Sequence, residues 1–208
     1  MFKHPIVRLV DDDELFRTSQ AMLLQVNGFS VSTYASAREF LDRDDPQRPG
    51  CLILDVRMPY MTGLELQEVM VKRGWRLPII FLTGHGDISM AVHTMQNGAV
   101  DFLEKPVSPE VLIAKVRAAV DRNLSEWEKI DEEEHLRAVF ASLTPREAQV
   151  IRLAALNLAN KVIAQRLDIA ETTVKMHRAN AFAKFNVNNP LDAYRLLSRI
   201  GVVSDEDQ

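Results

Sequence analysis

Cysteine is almost missing from this chain. Cys51 stands alone among 208 residues, so no internal disulfide can form and a reducing compartment is the expected setting. No apolar run approaches the roughly 18 to 20 residues needed to cross a bilayer. The opening residues, MFKHPIVRLVDDDE, bring three aspartates where a secretion signal needs its apolar stretch. A cytoplasmic chain with no membrane partner is expected. Glycine is scarce in the second half: seven of eight lie between Gly28 and Gly98, and only Gly201 follows. Tight turns therefore belong to the front of the chain, and the rear reads as nearly all helix. The rest is ordinary: 47% apolar and 26% charged residues exclude a disordered chain or a collagen-like fibre. The length suits one large domain or two small ones.

The net charge of −4 is unevenly spread. Residues 1–123 hold 14 basic against 16 acidic side chains, residues 124–141 hold 2 against 6, and residues 201–208 hold three acids and no base. Residues 142–200 reverse the balance, with 9 basic against 4 acidic. A basic segment in an acidic chain points to a polyanion partner for that segment, or to a surplus on one solvated face.

The front half alternates two periods. Short β-rich runs are Ile6 to Val10, Phe29 to Tyr34, Cys51 to Leu54, Pro78 to Thr83 and Val100 to Leu103. Helical patterns lie between and after them, at Glu14 to Asn27, Ala35 to Asp42, Thr62 to Arg73, Asp87 to Asn97 and from Pro109 onward. Five strands alternating with five helices make a parallel sheet covered on both faces. From Glu110 to Thr144 there is no glycine or proline, and apolar residues recur at helical spacing. The last of these helices either runs on as a linker helix or breaks at the acidic run Asp131 to Glu134. Thr144-Pro145-Arg146-Glu147 has the form of a capped helix start. Further helical patterns follow at Asn160 to Leu167, Glu171 to Phe185 and Pro190 to Ile200.

Ligands of an open α/β sheet bind beyond the carboxyl ends of its strands. There the sequence has Asp11, Asp12 and Asp13 after the first strand, Asp55 after the third, Thr83 ending the fourth and Lys105 after the fifth. An isolated aspartate after a strand is ordinarily a turn residue or a helix cap. Here acids, a hydroxyl and a cation fall at equivalent strand ends. With strand order 2-1-3-4-5, the first and third strands are neighbours. Two carboxylates about 5 Å apart would then repel by roughly 3 kcal/mol at an effective dielectric of 20. Such a cluster calls for a cation, and oxygen ligands at an open site suit Mg²⁺. Together they make a phosphoryl pocket with Asp55 as nucleophile.

The segments VDDDE, LDVRMPYMTGLEL, FLTGHGD and GAVDFLEKP resemble the receiver domain of two-component response regulators of the FixJ type. The resemblance covers about residues 3–122. It implies a flavodoxin-like five-stranded sheet, Asp55 as phosphoacceptor for a sensor histidine kinase, and Mg²⁺ or Mn²⁺ held by Asp11, Asp12, Asp55 and the backbone carbonyl of Arg57. It also implies Thr83 and Phe102 as a switch pair, Lys105 as the phosphate partner, and a dimer face carrying Val92, Gln96 and Phe102. The family wants two acids where this chain has three, and the first two are taken. Tyr60 stands where relatives often have Asp. His85 reads as a loop histidine facing water.

Asn160 to Lys175 reads as helix, short turn, helix, with Ile163, Ala164, Leu167, Ile169 and Val174 spaced to pack across the turn. Lys175, His177, Arg178 and Lys184 follow on the second helix, the pattern of a helix that enters a DNA groove or of a bundle with a solvated basic face. Across about residues 140–200 the chain resembles the LuxR/NarL-type helix-turn-helix output domain, through TPRE, NKVIA and ETTVKMHR. The resemblance implies base contacts from Lys175, Met176 and Ala179, and phosphate contacts from Asn160, Lys161, Thr173, His177 and Arg178. Asn157 and Asp168 replace usual glycines, and Ala170 replaces a capping serine, a loss worth about 1 kcal/mol. Met176 and Ala179 offer few hydrogen bonds, which favours readout of DNA shape.

Three functions compete. A phosphorylation-switched transcription factor accounts for both segments and their order. A Mg²⁺-dependent phosphatase would need a second acid soon after its nucleophile, where Arg57 and Pro59 stand, and a cap over the substrate. A constitutive DNA binder would have no use for the set Asp12, Asp55, Thr83 and Lys105. The expectation is therefore the first, a non-enzyme: a receiver domain at 1–122, a helical linker at 123–140, a helix-turn-helix domain at 141–202 and an acidic tail at 203–208. Its expected partners are a histidine kinase, promoter DNA, RNA polymerase and, once phosphorylated, a second copy of itself.

Overall fold

The structure, a computed structural model, describes residues 4–84 and 98–204. The pattern expected at 87–97, with Val92 and Gln96, lies outside the described residues, as do His85 and most of the acidic tail. The chain divides into two compact units, Met1–Trp127 and Glu128–Gln208.

In the first unit β1 (Ile6–Val10), β2 (Val31–Tyr34), β3 (Gly50–Leu54), β4 (Ile79–Thr83) and β5 (Asp101–Glu104) form one sheet in the order β2-β1-β3-β4-β5. Every pairing is parallel, as the sequence periods predict. The helices are α1 (Glu14–Val26), α2 (Ala37–Arg43), α3 (Gly63–Lys72) and α4 (Pro109–Ala141). Alternation along the strands sends Val7, Leu9, Cys51, Ile53, Ile80 and Leu82 to a core shared with Ala21 and Leu24 of α1 and with Leu112 and Val116 of α4. Val10, Leu52, Leu54 and Phe81 face the opposite core, with Phe40 of α2 and Leu66 and Met70 of α3. Burial on both faces explains the unbroken apolar runs CLIL and IIFL.

Two boundaries differ from the sequence reading, each for a local reason. The Phe29 N–H donates to the Leu24 carbonyl and closes α1, so sheet pairing begins only at Val31. Phe29 is apolar because its side chain packs on the core, not because it pairs. Helix α2 begins at Ala37 because the Ser36 side chain accepts from the Glu39 N–H and caps it. Glycine is required at Gly50, where an added Cβ would lie 1.9 Å from the Ile6 carbonyl oxygen.

At the amino end of the sheet, Arg8 is fully buried in the otherwise apolar β1. Its Nε donates to Asp44 at 3.0 Å, Nη1 to the carbonyls of Ile6 and Pro49, and Nη2 to those of Asp45 and Arg48 at 2.9 and 2.8 Å. Asp44 also accepts from the Tyr34 hydroxyl at 2.7 Å. Burial, with Asp44 adding to it, pushes the Tyr34 phenol up to about 12.

Helix α4 is continuous through Asp131–Glu134, so of the two arrangements open to the sequence the unbroken helix is found. Its residues from Glu128 belong to the second unit, with α5 (Pro145–Ala155), α6 (Asn160–Leu167), α7 (Glu171–Phe185) and α8 (Pro190–Arg199). Val150, Ile151, Ala154, Ile163, Val174, Ala181 and Leu197 form its buried centre. The capping box of Thr144 and Glu147 is present as the sequence suggests. Glu147 is buried and accepts from Lys184 Nζ at 2.7 Å, and that bond, with the cap, lowers its carboxyl to about 2. Asn157 and Asp168, standing for glycines, adopt φ of 59° and 51°, in the left-handed region where short polar side chains are tolerated. Ala170 gives α7 no side-chain cap.

Candidate functional site

The site follows from strand register. Residues Ile6 to Val10 pair with Gly50 to Leu54 in order, so both strands end at one level and the next residues, Asp11 and Asp55, stand side by side. The Asp55 N–H continues the ladder to the Val10 carbonyl at 2.9 Å. Gly63, opening α3, lies so close beneath that an added Cβ would be 2.2 Å from the Asp55 carbonyl oxygen. Lys105, just after β5, is tied to β4 by its N–H, which donates to the Thr83 carbonyl at 2.7 Å. Its Nζ reaches both acids, donating to Asp11 Oδ2 at 2.6 Å and to Asp55 Oδ1 at 2.9 Å.

The other oxygens of the pair accept backbone N–H groups. Asp55 Oδ2 takes that of Arg57 at 2.8 Å, and Asp11 Oδ1 that of Asp13 at 2.9 Å. Burial raises the Asp55 carboxyl above the usual range, Asp11 adds to that, and Lys105 opposes it. Burial works to lower the Lys105 ammonium, but its bonds to Asp11 and Asp55 outweigh that and raise it. The pocket therefore disfavours further negative charge unless more positive charge arrives.

Of the acids after β1, Asp11 is buried and faces Lys105, while Asp12 is exposed. Asp13 is the N-cap of α1, accepting from the Phe16 N–H at 3.0 Å, which gives the third acid a local role. Among the described residues no three His, Cys, Asp or Glu side chains converge as a metal cage. Adjacent Asp11 and Asp55 carboxylates beside solvent-facing Asp12 make a sparse oxygen set, which suits a hard cation that keeps much of its water. Thr83 is buried at the end of β4. Phe102 is half-buried on β5, its ring 6.4 Å from that of Phe81.

In the second unit, α6, the turn at Asp168–Ala170 and α7 form the helix-turn-helix. Lys175, Met176 and Ala179 are exposed on α7, Met176 at 53%. Lys161 is exposed on α6, and Thr173 and His177 are half-covered. Lys175 pairs with Glu171 one turn earlier at 3.4 Å. Asn160 and Arg178 are bonded to each other, Arg178 Nη1 donating to Asn160 Oδ1 at 2.9 Å, with the guanidinium 5.1 Å from the Phe182 ring centre.

Sequence reasoning missed several residues here. The Phe16 ring centre lies 4.0 Å from Lys105 Nζ, and Arg17 Nη1 donates to the Asp11 carbonyl at 2.7 Å. The available signal was helix geometry: side chains lean toward the amino end of a helix, and α1 begins at the site. Tyr60 is fully exposed with φ of 67°, a conformation unusual for a bulky residue.

Two family models match the chain: the response regulator receiver domain over residues 7–117, and the bacterial regulatory proteins of the luxR family over residues 141–197. The transcriptional regulatory protein FixJ of Azorhizobium caulinodans is 39% identical over 97% of this chain and 95% of its own length. Nodulation protein W of Bradyrhizobium diazoefficiens is 38% identical over 98% of this chain and 89% of its own. Among solved structures, the response regulator StyR superposes with a TM-score of 0.87 at 40% identity, covering 95% of this chain and all of the other. Full-length FixJ from B. japonicum gives a TM-score of 0.58 at 36% identity, covering 98% of this chain and all of the other.

Proposed function

The chain belongs to the response regulators that join a receiver domain to a LuxR-family DNA-binding domain, FixJ-like transcriptional regulators served by a kinase and by DNA, and from that premise we propose that Asp55 is the phosphoacceptor that switches it. The observation that carries this reading is Lys105 Nζ bonded at once to Asp11 and Asp55. An Asp55 carboxylate oxygen forms the new bond to phosphorus, the phosphorus–nitrogen bond of the kinase phosphohistidine breaks, and the imidazole leaves. Asp11, Asp12, Asp55 and the Arg57 carbonyl would hold Mg²⁺ or Mn²⁺. When bound, the cation supplies positive charge that offsets the transferred oxygens. Lys105 supplies a second positive charge and Thr83 a hydroxyl donor.

Thr83 then moves to the phosphoryl group and Phe102 rotates inward, which repacks the dimer face that carries Val92, Gln96 and Phe102. Converting a 1:99 resting balance to 99:1 takes about 5.5 kcal/mol of preference for the active state. The segments are 1–122 for the receiver, 123–140 for the linker, 141–202 for DNA binding and 203–208 for an acidic tail. Among the described residues no helix is long and apolar enough to cross a membrane. The setting of this reading is the cytoplasm, with promoter DNA and RNA polymerase as partners. This regulator accepts a phosphoryl group rather than turning over phosphate esters; turnover of a generic ester would favour the phosphatase instead.

Labelling by acetyl phosphate tests the site directly. The wild type should be phosphorylated only with a divalent cation, and Asp55→Asn should lose the label. Labelling equal in Asp55→Asn, or untouched by a chelator, overturns the assignment. Sedimentation with a beryllofluoride mimic should show a rise in dimer, and an unchanged association constant counts against the switch.

On α7, Lys175, Met176 and Ala179 read bases, while Asn160, Lys161, Thr173, His177 and Arg178 serve the phosphates. Affinity should fall roughly three to four decades between 50 and 200 mM salt for a dimer making about 6 to 8 phosphate contacts. Lys175→Ala should cost about 1 to 3 kcal/mol on the cognate site and less on random duplex. Equal losses on both would turn the helix the wrong way round.

A further inference from the structure

The Lys105 ammonium has three donors, and each side of it is occupied. Two bonds go to Asp11 and Asp55, as described. The ring of Phe16 closes the third side, its centre 4.0 Å from Nζ. Phe16 is held on its own account. Its N–H donates to the Asp13 cap at 3.0 Å, and its half-buried side chain packs against the core that includes Val7, Leu9 and Leu82. The next residue, Arg17, anchors the same turn of α1 to the Asp11 carbonyl. A flexible four-carbon stem is thus presented with a fixed, negatively polarised ring face.

We propose that Phe16 is a positioning residue for phosphoryl transfer to Asp55, holding the Lys105 ammonium in place while its hydrogen bonds change. The proposal rests on Asp55 being the phosphoacceptor. With acetyl phosphate as donor, an Asp55 oxygen bonds to phosphorus, the bond from phosphorus to the acetyl oxygen breaks, and acetate leaves with the electron pair. The Lys105 N–H released by Asp55 Oδ1 turns to a phosphoryl oxygen, and the ring face keeps Nζ beside it during the exchange. An aliphatic side chain of similar bulk fills the space without an attractive face for the cation.

The test uses the full chain with Mg²⁺ and acetyl phosphate. Phe16→Leu should lower the maximal phosphorylation rate about fivefold, the worth of one partly exposed cation–ring contact, with the half-saturating acetyl phosphate concentration unchanged. Phe16→Tyr, which keeps the ring, should stay within about twofold of wild type. The Lys105 ε-methylene protons should show a ring-current shift in NMR that Phe16→Leu abolishes and Phe16→Tyr retains. A Phe16→Leu rate equal to wild type overturns the proposal, and so do equal losses in both variants, which mean packing alone. Absence of the ring-current shift in the wild type overturns it without any variant. Label on the wild type that is lost in Asp55→Asn upholds the phosphoacceptor reading whichever way the Phe16 variants behave; no label on the wild type overturns both.

Discussion

Two buried cation–carboxylate clusters sit at opposite ends of the same sheet, and they are built on opposite plans. At the amino end Arg8 spends its rigid fork on Asp44 and four backbone carbonyls, and it is wholly sealed from water. At the carboxyl end Lys105 keeps 19% of its side chain exposed and holds two acids with one point charge. The first cluster is saturated and has nothing to offer a ligand. The second has excess negative charge, a route to water and a cation whose bonds can be redirected. A buried ion pair serves structure when its charges balance and it is sealed from water, and chemistry when an excess acid and a path to solvent let its bonds be exchanged.

The sharpest way to break this comparison is to remove each cation. Arg8→Ala leaves Asp44 buried without its partner and should cost about 3 to 5 kcal/mol. Lys105→Ala strands acids whose side chains are only 3% and 8% exposed, but Asp55, already raised by burial, can take up a proton, so the cost should be smaller, about 1 to 3 kcal/mol. Urea denaturation of both variants checks this, and equal costs would mean that the carboxyl-end cluster is structural too. Next comes Gly63→Ala, whose methyl must push against the Asp55 carbonyl and should cost about 1 to 3 kcal/mol. It should also slow acetyl phosphate labelling, whereas Gly74→Ala, strained by its φ of 68° but open to solvent, should cost stability without changing that rate. A normal labelling rate in Gly63→Ala would show that the strand end yields without moving the carboxylate.

The smallest effect sharpens the contrast with a third pair, Glu147–Lys184, in which the acid is buried and the cation is partly exposed. The Glu147 carboxyl lies at about 2 when folded against an ordinary 4.5. Its stabilisation is full above about 4.5 and is lost as pH falls toward 2. The stability gap between wild type and Glu147→Gln should hold steady from neutral pH down to about 4.5 and then narrow. A gap that does not change with pH in acid would assign the role to the cap rather than to the charge.

Much of this architecture is legible in the amino-acid sequence alone. Ile6–Val10 and Ile79–Thr83 are legible because burial on both faces demands unbroken apolar runs, and Asp11, Asp55 and Lys105 because strand order brings their ends together. Arg8 was not legible, since a charge inside an apolar strand carries no sign of the carbonyls that will meet it. Phe16 was hidden for a related reason: its partner lies 89 positions away in the chain, and nothing local marks an aromatic ring as facing an ammonium. Asn160 and Arg178 each suggested a DNA contact, but their mutual bond depends on how α6 and α7 cross. Asp13 became unambiguous only once α1 had a defined first residue.

Cys51 offers a different kind of leverage. It sits in β3 paired with Val7 of β1, wholly out of contact with solvent, and burial pushes its thiol up to about 12. The reacting form of a cysteine is the thiolate, so in the folded chain this sulfur is silent to maleimide on two counts. It becomes reactive only when the core between the sheet and helices α1 and α4 opens. The protein therefore carries a built-in clock for the opening of its own core, one label per molecule, with no engineered cysteine to add and none to remove.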